Sequence, residues 1–158
     1  MRSIGSTPVR AAAIWLLMLF VAFLAAGLRT GLLEPWLGEQ GGHVAGTLLV
    51  VGAFAIIIWI AVPWVVPDMA GGRLVRLGVL WTLATVAFEF GFGHYVMGHP
   101  WSRLLADYDV TAGRFWVLVL ATMLLMPAVT GAVRRRAAVP DSSPHSSPCL
   151  PRNSSMER

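Results

Sequence analysis

Long apolar stretches alternate with short charged segments along this chain, and the alternation predicts its fold. No Asp, Glu, Arg or Lys occurs within residues 11–28, 44–67 or 115–133, and residues 77–93 contain only one, Glu89. Each stretch is close to the ~20 residues that a helix needs to cross the ~30 Å hydrocarbon layer of a bilayer. The pattern predicts an all-α membrane protein with four transmembrane helices, at about residues 11–28, 44–66, 75–95 and 115–133.

Two of the connecting segments predict short helices that lie flat on the outer membrane surface. In the first, apolar side chains recur at near-helical spacing, at Leu32, Leu33, Trp36 and Leu37. In the second, the spacing is i, i+3, i+4, i+7, at Trp101, Leu104, Leu105 and Tyr108, and Pro100 suits the first helical turn. We expect both helices to anchor at the interface, and a lid over a cavity is the functional alternative.

The composition changes to proline, serine and charged residues after Arg136. We therefore predict one transmembrane domain, residues 1–136, and a disordered cytoplasmic tail, residues 137–158. The first apolar stretch could instead be a signal peptide. Its length, and Arg29 directly after it, favour an uncleaved transmembrane helix.

The arginines predict the orientation of the chain in the membrane. Seven fall on the side of the N-terminus, at Arg2, Arg10, Arg73, Arg76, Arg134, Arg135 and Arg136, and three on the other, at Arg29, Arg103 and Arg114. By the positive-inside rule, both termini are cytoplasmic. All basic residues are arginine, which suggests a GC-rich bacterial source, so we expect the bacterial inner (plasma) membrane.

The composition narrows the classes of function. The chain has 158 residues, of which 56% are hydrophobic, and four spanning helices leave no room for a separate catalytic domain. The net charge of +4 does not indicate nucleic-acid binding, because no basic patch contains interleaved aromatic residues. The lone Cys149 excludes an internal disulfide and a cysteine metal site. Catalytic templates such as HExxH, CxxC and phosphate loops are absent, so we expect no cofactor and, more plausibly, no enzyme.

Glu89 is the candidate centre of a functional site. A carboxylate inside a spanning helix costs several kcal/mol unless it is paired, protonated or in a water-filled cavity. Glu89 belongs to a stripe of small and polar residues along one face of this helix. The other members are Gly78, Thr82, Thr85 and Gly93. Small residues let helices pack closely in lipid, so this face should point into the bundle. His94 marks the outer mouth, ~7–8 Å above the carboxylate.

Several residues at the outer side extend a polar cluster around Glu89. Arg29 and Arg114 stand at the outer ends of helices one and four, and either guanidinium can bind a carboxylate bidentately. The cluster then includes His94, His99, Arg103 and Asp107. Two interpretations stay open: a buried ion pair that fixes helix register, or a protonatable or ligand-binding carboxylate in an outward-facing pocket.

The two histidines could also suggest a metal site. Separated by five residues, they share no helical face, and a metal shell would need Asp107, Asp109 or Glu34 in addition. We expect them instead to form hydrogen bonds at the outer surface, without a metal.

One segment carries a resemblance to a known group. It covers residues 88–95 and continues with Gly98, Trp101, Leu104-Leu105, Asp107-Tyr108 and Gly113-Arg114. It resembles small four-helix bacterial inner-membrane proteins that have no assigned activity, over roughly residues 10–135. The resemblance implies the same topology and supplies no catalytic or binding residues. Small multidrug exporters also carry a membrane glutamate, but in their first helix, whereas Glu89 falls in the third.

These observations favour a membrane protein with a binding or assembly role around Glu89, Arg29 and Arg114. The expected partners are the lipid bilayer and further copies of the chain, and the sequence does not identify a ligand. Two alternatives belong to other classes. One is a small proton-coupled transporter, and the other is a membrane enzyme that acts on lipid-like substrates at the outer leaflet.

Overall fold

A computed structural model describes residues 6–106, 108 and 115–138. They form five α-helices: α1 (Ser6–Leu28), α2 (Glu34–Val65), α3 (Gly71–Gly91), α4 (Trp101–Ala106) and α5 (Trp116–Ala137). Two π-helical turns, Arg29–Leu33 and Phe92–Val96, extend α1 and α3. This part of the chain contains no β-strand.

The fold has helical segments of membrane-spanning length and composition. Three qualify: Thr7–Val65 with 59 residues, Gly71–Val96 with 26 and Trp116–Ala137 with 22. Many large apolar side chains on them are exposed, such as Leu24, Ile60 and Leu83, as is typical of helices that contact lipid. The predicted all-α class is confirmed, and the lengths agree with a multi-pass membrane protein.

The first segment folds back on itself at Gly38. The backbone there has φ 74° and ψ 167°, a conformation that is nearly restricted to glycine. The guanidinium of Arg10, near the start of α1, donates a 3.1 Å hydrogen bond to the carbonyl oxygen of Trp64, near the end of α2. The two helices are therefore antiparallel neighbours.

The first predicted surface helix, around residues 32–37, falls on the π-helical turn Arg29–Leu33 and on the helical residues that precede the reversal at Gly38. After the reversal, the rest of α2 corresponds to the second predicted transmembrane helix. The second predicted surface helix corresponds to α4, Trp101–Ala106, which starts directly after Pro100. Whether either segment lies at a membrane surface stays a prediction.

Helix α5 packs closely against α3 at Gly78. A Cβ added there would clash with the carbonyl oxygen of Leu124 and would lie 3.2 Å from that of Met123. The Met123 carbonyl has no helical donor, because the residue four positions later is Pro127. Only a glycine lets the two backbones approach this closely.

Two tryptophans connect the helices through the core. The indole N–H of Trp81 donates to the Ala11 carbonyl oxygen at 2.9 Å, and that of Trp15 donates to the Thr85 hydroxyl at 3.1 Å. Thr85 in turn contacts the Met123 sulfur at 3.6 Å. The residues Gly78, Thr85 and Gly93 of the predicted stripe are buried, so the orientation of this face is confirmed.

The last helix ends later than predicted. It continues through Arg134–Arg136 to Ala137 instead of ending at residue 133, and it starts at Trp116. Two of these arginines are held by backbone acceptors, since Arg134 donates to Trp59 at 3.0 Å and Arg135 donates to Met69 at 2.6 Å. Beyond residue 138, the predicted tail lies outside the described residues.

Candidate functional site

A cavity of about 1000 Å³ opens between α1, α2, α3, α4 and α5. One end is apolar, with Met18, Phe54 and Met123, and the other is polar, with Arg29, Glu34, Glu39, Gln40 and His43. Met18 and Arg29 are eleven positions apart, which corresponds to ~16 Å along the helix at 1.5 Å per residue. The cavity therefore changes from apolar to polar over about half the thickness of a bilayer core.

The polar end is built on the reversal of the chain at Gly38. The Arg29 Nε lies 3.3 Å from a carboxylate oxygen of Glu34, and its Nη1 lies 2.8 Å from Nδ1 of His43. Two glycines make room, because a Cβ at Gly42 would lie 2.7 Å from the Glu34 side chain and one at Gly46 3.2 Å from Arg29. The glycines let α2 return close beside the π-helical turn.

The contact between Arg29 and His43 has a defined direction. A guanidinium can only donate, so His43 Nδ1 is the acceptor. Its Nε2 is buried and has no hydrogen-bond partner in the described part of the chain. The polar end therefore contains an arginine, a glutamate and a histidine in one contact network.

Glu89 lies halfway along the cavity wall. Its Oε2 accepts a 2.7 Å hydrogen bond from the hydroxyl of Tyr108. The Tyr108 ring stacks on Phe90 with 5.7 Å between centroids, and Phe90 also stacks on Trp101 at 6.0 Å. The segment around α4 is thus packed over the end of α3 and brings a hydroxyl to the carboxylate.

Arg29 does not form the ion pair with Glu89 that the sequence analysis considered. Among the described residues, Arg29 forms its ion pair with Glu34 and not with Glu89. The reason is proximity, since Glu34 is one turn further along the same continuous helical segment. Arg114, the other predicted partner of Glu89, lies outside the described residues, as does Asp107.

The remaining predicted residues divide between the cavity and its rim. His99 and Arg103 line the cavity. The His94 ring stacks on Trp101 at 4.2 Å between centroids, and its Nδ1 lies 3.0 Å from the carbonyl oxygen of His99. The hydrogen bond expected for His94 is present. The described residues contain no group of three or more His, Cys, Asp or Glu side chains placed to hold a metal ion.

Aromatic side chains form the cavity wall between α1 and α3. Phe88 and Phe92 stack at 5.3 Å, and Phe23 meets both edge-on, at 6.2 Å and 5.8 Å. Trp15 meets Phe88 edge-on at 6.2 Å. Edge-on and stacked contacts of this kind hold aromatic rings in fixed positions. The wall offers a firm apolar surface to whatever occupies the cavity.

The arrangement can bind a molecule that is apolar at one end and polar at the other. Glu34, Tyr108 and His43 are parts of the site that the sequence analysis did not assign to it. Comparison with known proteins identifies no relative: no protein-family model, curated protein or solved structure matches this chain.

Proposed function

We propose that this chain is a multi-pass protein of the bacterial inner membrane that binds an amphiphilic ligand in the cavity around Glu89. It crosses the bilayer four times, through α1, α2, α3 and α5, with both termini in the cytoplasm. The antiparallel pairing of α1 and α2 supports two crossings by the Thr7–Val65 segment. The distribution of arginine supports the orientation.

The graded lining of the cavity is the single observation that supports ligand binding. Its volume of about 1000 Å³ is at the upper end of the usual ~300–1000 Å³ for small-molecule sites. A ligand with a hydrocarbon chain would place it against Met18, Phe23 and Phe88. Its polar group would then lie beyond Glu89, toward Arg29 and Arg103, which also line the cavity. In this role Glu89 binds and orients the polar group of the ligand, and the ligand is released chemically unchanged.

Filling the apolar end of the cavity tests the proposal. Ala22 lines the cavity, so Ala22→Trp should occlude it, whereas Ala13→Trp places the same ring on an exposed position of the same helix. The probe is a diazirine-bearing fatty acid that is photo-crosslinked to the purified full chain in nanodiscs. Crosslinked peptides are mapped by mass spectrometry.

The proposal predicts crosslinks within residues 18–26 and 88–92 that Ala22→Trp abolishes and Ala13→Trp preserves. Crosslinks confined to outward positions, with no response to Ala22→Trp, would refute it. Thermal unfolding of both variants in detergent verifies that each retains the fold.

A second candidate, proton-coupled transport, is supported by the position of Glu89. This carboxylate lines the cavity and is half-buried, with Tyr108 as hydrogen-bond donor. A transporter would move a fluorescent amphiphile across liposomes in response to a pH gradient, and Glu89→Gln would stop this flux while ligand crosslinking persists. Crosslinking without gradient-driven flux would support ligand binding and exclude proton-coupled transport of this amphiphile.

A further inference from the structure

A second, smaller cavity lies at the opposite end of the helices from the polar mouth. It has a volume of about 250 Å³ and lies where α1 and α3 begin and α2 ends. Thr7, Arg73 and Arg76 contribute its polar groups, and Leu77 and Leu80 are among its apolar ones. We call it the basic groove.

One face of α3 supplies both arginines and four of the ten residues that line the basic groove. Arg73, Arg76, Leu77 and Leu80 follow i, i+3, i+4, i+7 and therefore lie on one side of the helix. The basic pair is at the start of α3, and Leu80 follows about one turn, or ~5.4 Å, further along. The side chain of Leu80 is 57% exposed. The face thus changes from cationic to apolar along the helix axis, in the order that a lipid presents its headgroup and chain.

The charges of the basic groove are not fully compensated. Arg73 forms an ion pair with Asp68 at 3.1 Å, yet its side chain stays 66% exposed. Arg76 is exposed and forms no ion pair within the part of the chain that the structure describes. Two guanidinium groups thus face one carboxylate, and the groove carries an excess positive charge.

We propose that the basic groove binds the headgroup of an anionic phospholipid, with one acyl chain along Leu80. A guanidinium can donate two parallel hydrogen bonds to a phosphate, and in the described part of the chain the Arg76 guanidinium forms no ion pair that would compete. Basic pockets between transmembrane helices on the cytoplasmic side are suited to anionic headgroups. The orientation proposed above places the groove in the inner leaflet. The site is independent of the larger cavity, so it can hold whether or not that cavity binds a ligand.

Lipid retention measured by native mass spectrometry tests this site. The purified full chain is equilibrated in detergent with equal amounts of phosphatidylglycerol and phosphatidylcholine. The unmodified chain should retain phosphatidylglycerol preferentially. Arg76→Gln should weaken this retention about fivefold, the equivalent of the ~1 kcal/mol that one basic residue contributes at an anionic membrane surface. Arg76→Lys, which keeps the charge, should retain most of the preference.

The matched control is Arg136→Gln, which removes an exposed arginine that does not line the groove. It should leave the preference unchanged. Equal retention of the two lipids by the unmodified chain would overturn the proposal, even where inorganic phosphate binds, because the ligand would then be a soluble anion. An equal loss in Arg76→Gln and Arg136→Gln would overturn it as well, since net charge alone would then explain the effect. Ala22→Trp, which alters only the larger cavity, should not change the preference.

Discussion

The hydrogen bond from the Tyr108 hydroxyl to Glu89, 2.7 Å long, is the central polar contact in the middle of the larger cavity. A hydrogen bond contributes about 0.5–1.5 kcal/mol between neutral groups and about 1.5–3 kcal/mol where one group is charged. The stacking of Phe90 on the Tyr108 ring fixes the direction of the hydroxyl. Tyr108 is therefore a positioning residue for the carboxylate.

We expect Tyr108→Phe to lower the free energy of unfolding by about 1–2 kcal/mol, because the Glu89 oxygen loses a donor while the ring stays in place. The measurement is SDS-induced unfolding of the purified chain, followed by circular dichroism. Tyr95→Phe is the control, because the side chain of Tyr95 is 80% exposed. An equal loss in both variants would show that the Tyr108 hydroxyl has no specific role.

At this scale, the sequence identified Glu89 but not its hydroxyl partner. A carboxylate inside an apolar stretch is conspicuous without any structure, because its burial is costly. Tyr108 instead completes an apolar helical pattern with Trp101 and Leu105, which suggests an interfacial anchor. Only the packing of α4 over α3 reveals that its hydroxyl reaches Glu89. The ion pair of Arg29 with Glu34 was likewise not predicted, because it forms across a π-helical turn, which brings residues five positions apart together.

Among the helices, α3 and α5 approach each other closely at Gly78. Gly78→Ala should lower the free energy of unfolding by about 1–3 kcal/mol, as expected for overpacking, because the new methyl group meets the Leu124 carbonyl. Gly52→Ala is a matched control, because a Cβ at Gly52 meets nothing within 4 Å. It should be neutral or stabilising, since alanine favours a helix over glycine. A neutral Gly78→Ala would contradict this packing.

A proline and an arginine act together at the other end of the bundle. Pro63 lies inside α2 and has no N–H, so the carbonyl of Trp59, four residues earlier, lacks its helical donor. The Arg134 guanidinium donates a hydrogen bond of 3.0 Å to this carbonyl oxygen instead. It also lies 4.9 Å from the centroid of the Trp59 ring. The arginine that signals orientation in the sequence is thus also a structural contact between α5 and α2.

This pairing predicts a result in a double-mutant cycle. Arg134→Gln alone should lower the free energy of unfolding by about 1–2 kcal/mol, because the Trp59 carbonyl loses its charged donor. In a Pro63→Ala background the helix can donate again, so the same substitution should cost less. Arg136→Gln serves as the control for a general loss of charge. An equal cost of Arg134→Gln in both backgrounds would refute the coupling.

The positions of the long helices were predictable, and their ends were less so. Charge-free stretches fix where the apolar helices run, because the hydrocarbon layer sets their length. The predicted end of the last helix, residue 133, is too early. The prediction stops there because arginines commonly flank a transmembrane helix. In the structure Arg134 and Arg135 stay helical and bond to carbonyls of neighbouring segments. Such contacts involve residues that are distant in sequence, so a local sequence pattern does not predict them.

For the molecule as a whole, the sequence suggests an outward-facing pocket around Glu89 as one of two interpretations, but it does not predict the size of the larger cavity or the helices that enclose it. The existence of this cavity depends on how the helices pack: α5 lies close against α2 and α3, whereas aromatic side chains bridge α1 and α3. The stripe on α3 predicted which face turns inward, and the burial of Gly78 and Thr85 confirms it. It could not predict that Arg29, Glu34 and His43 would meet at one end of that space. The pattern of hydrophobicity thus specifies the helices, and small residues decide the space between them.

The central claim is that a polar cavity, open to the outside, penetrates an apolar bundle. Ala26 and Leu24 test it as a pair, because they lie ~3 Å apart in depth on nearly opposite sides of α1. Ala26 lines the cavity, whereas Leu24 does not line it and is 59% exposed on the outer surface of the bundle. Each is replaced by cysteine in a Cys149→Ser background, since Cys149 is the sole cysteine of the chain.

Intact cells that express each variant are treated with a membrane-impermeant, charged thiosulfonate reagent, and labelling is quantified by mass spectrometry. Ala26→Cys should react, because water and the reagent reach the cavity from outside. Leu24→Cys should stay unlabelled, because its thiol faces lipid. Labelling of both positions to the same extent, or of Leu24→Cys alone, would contradict the account.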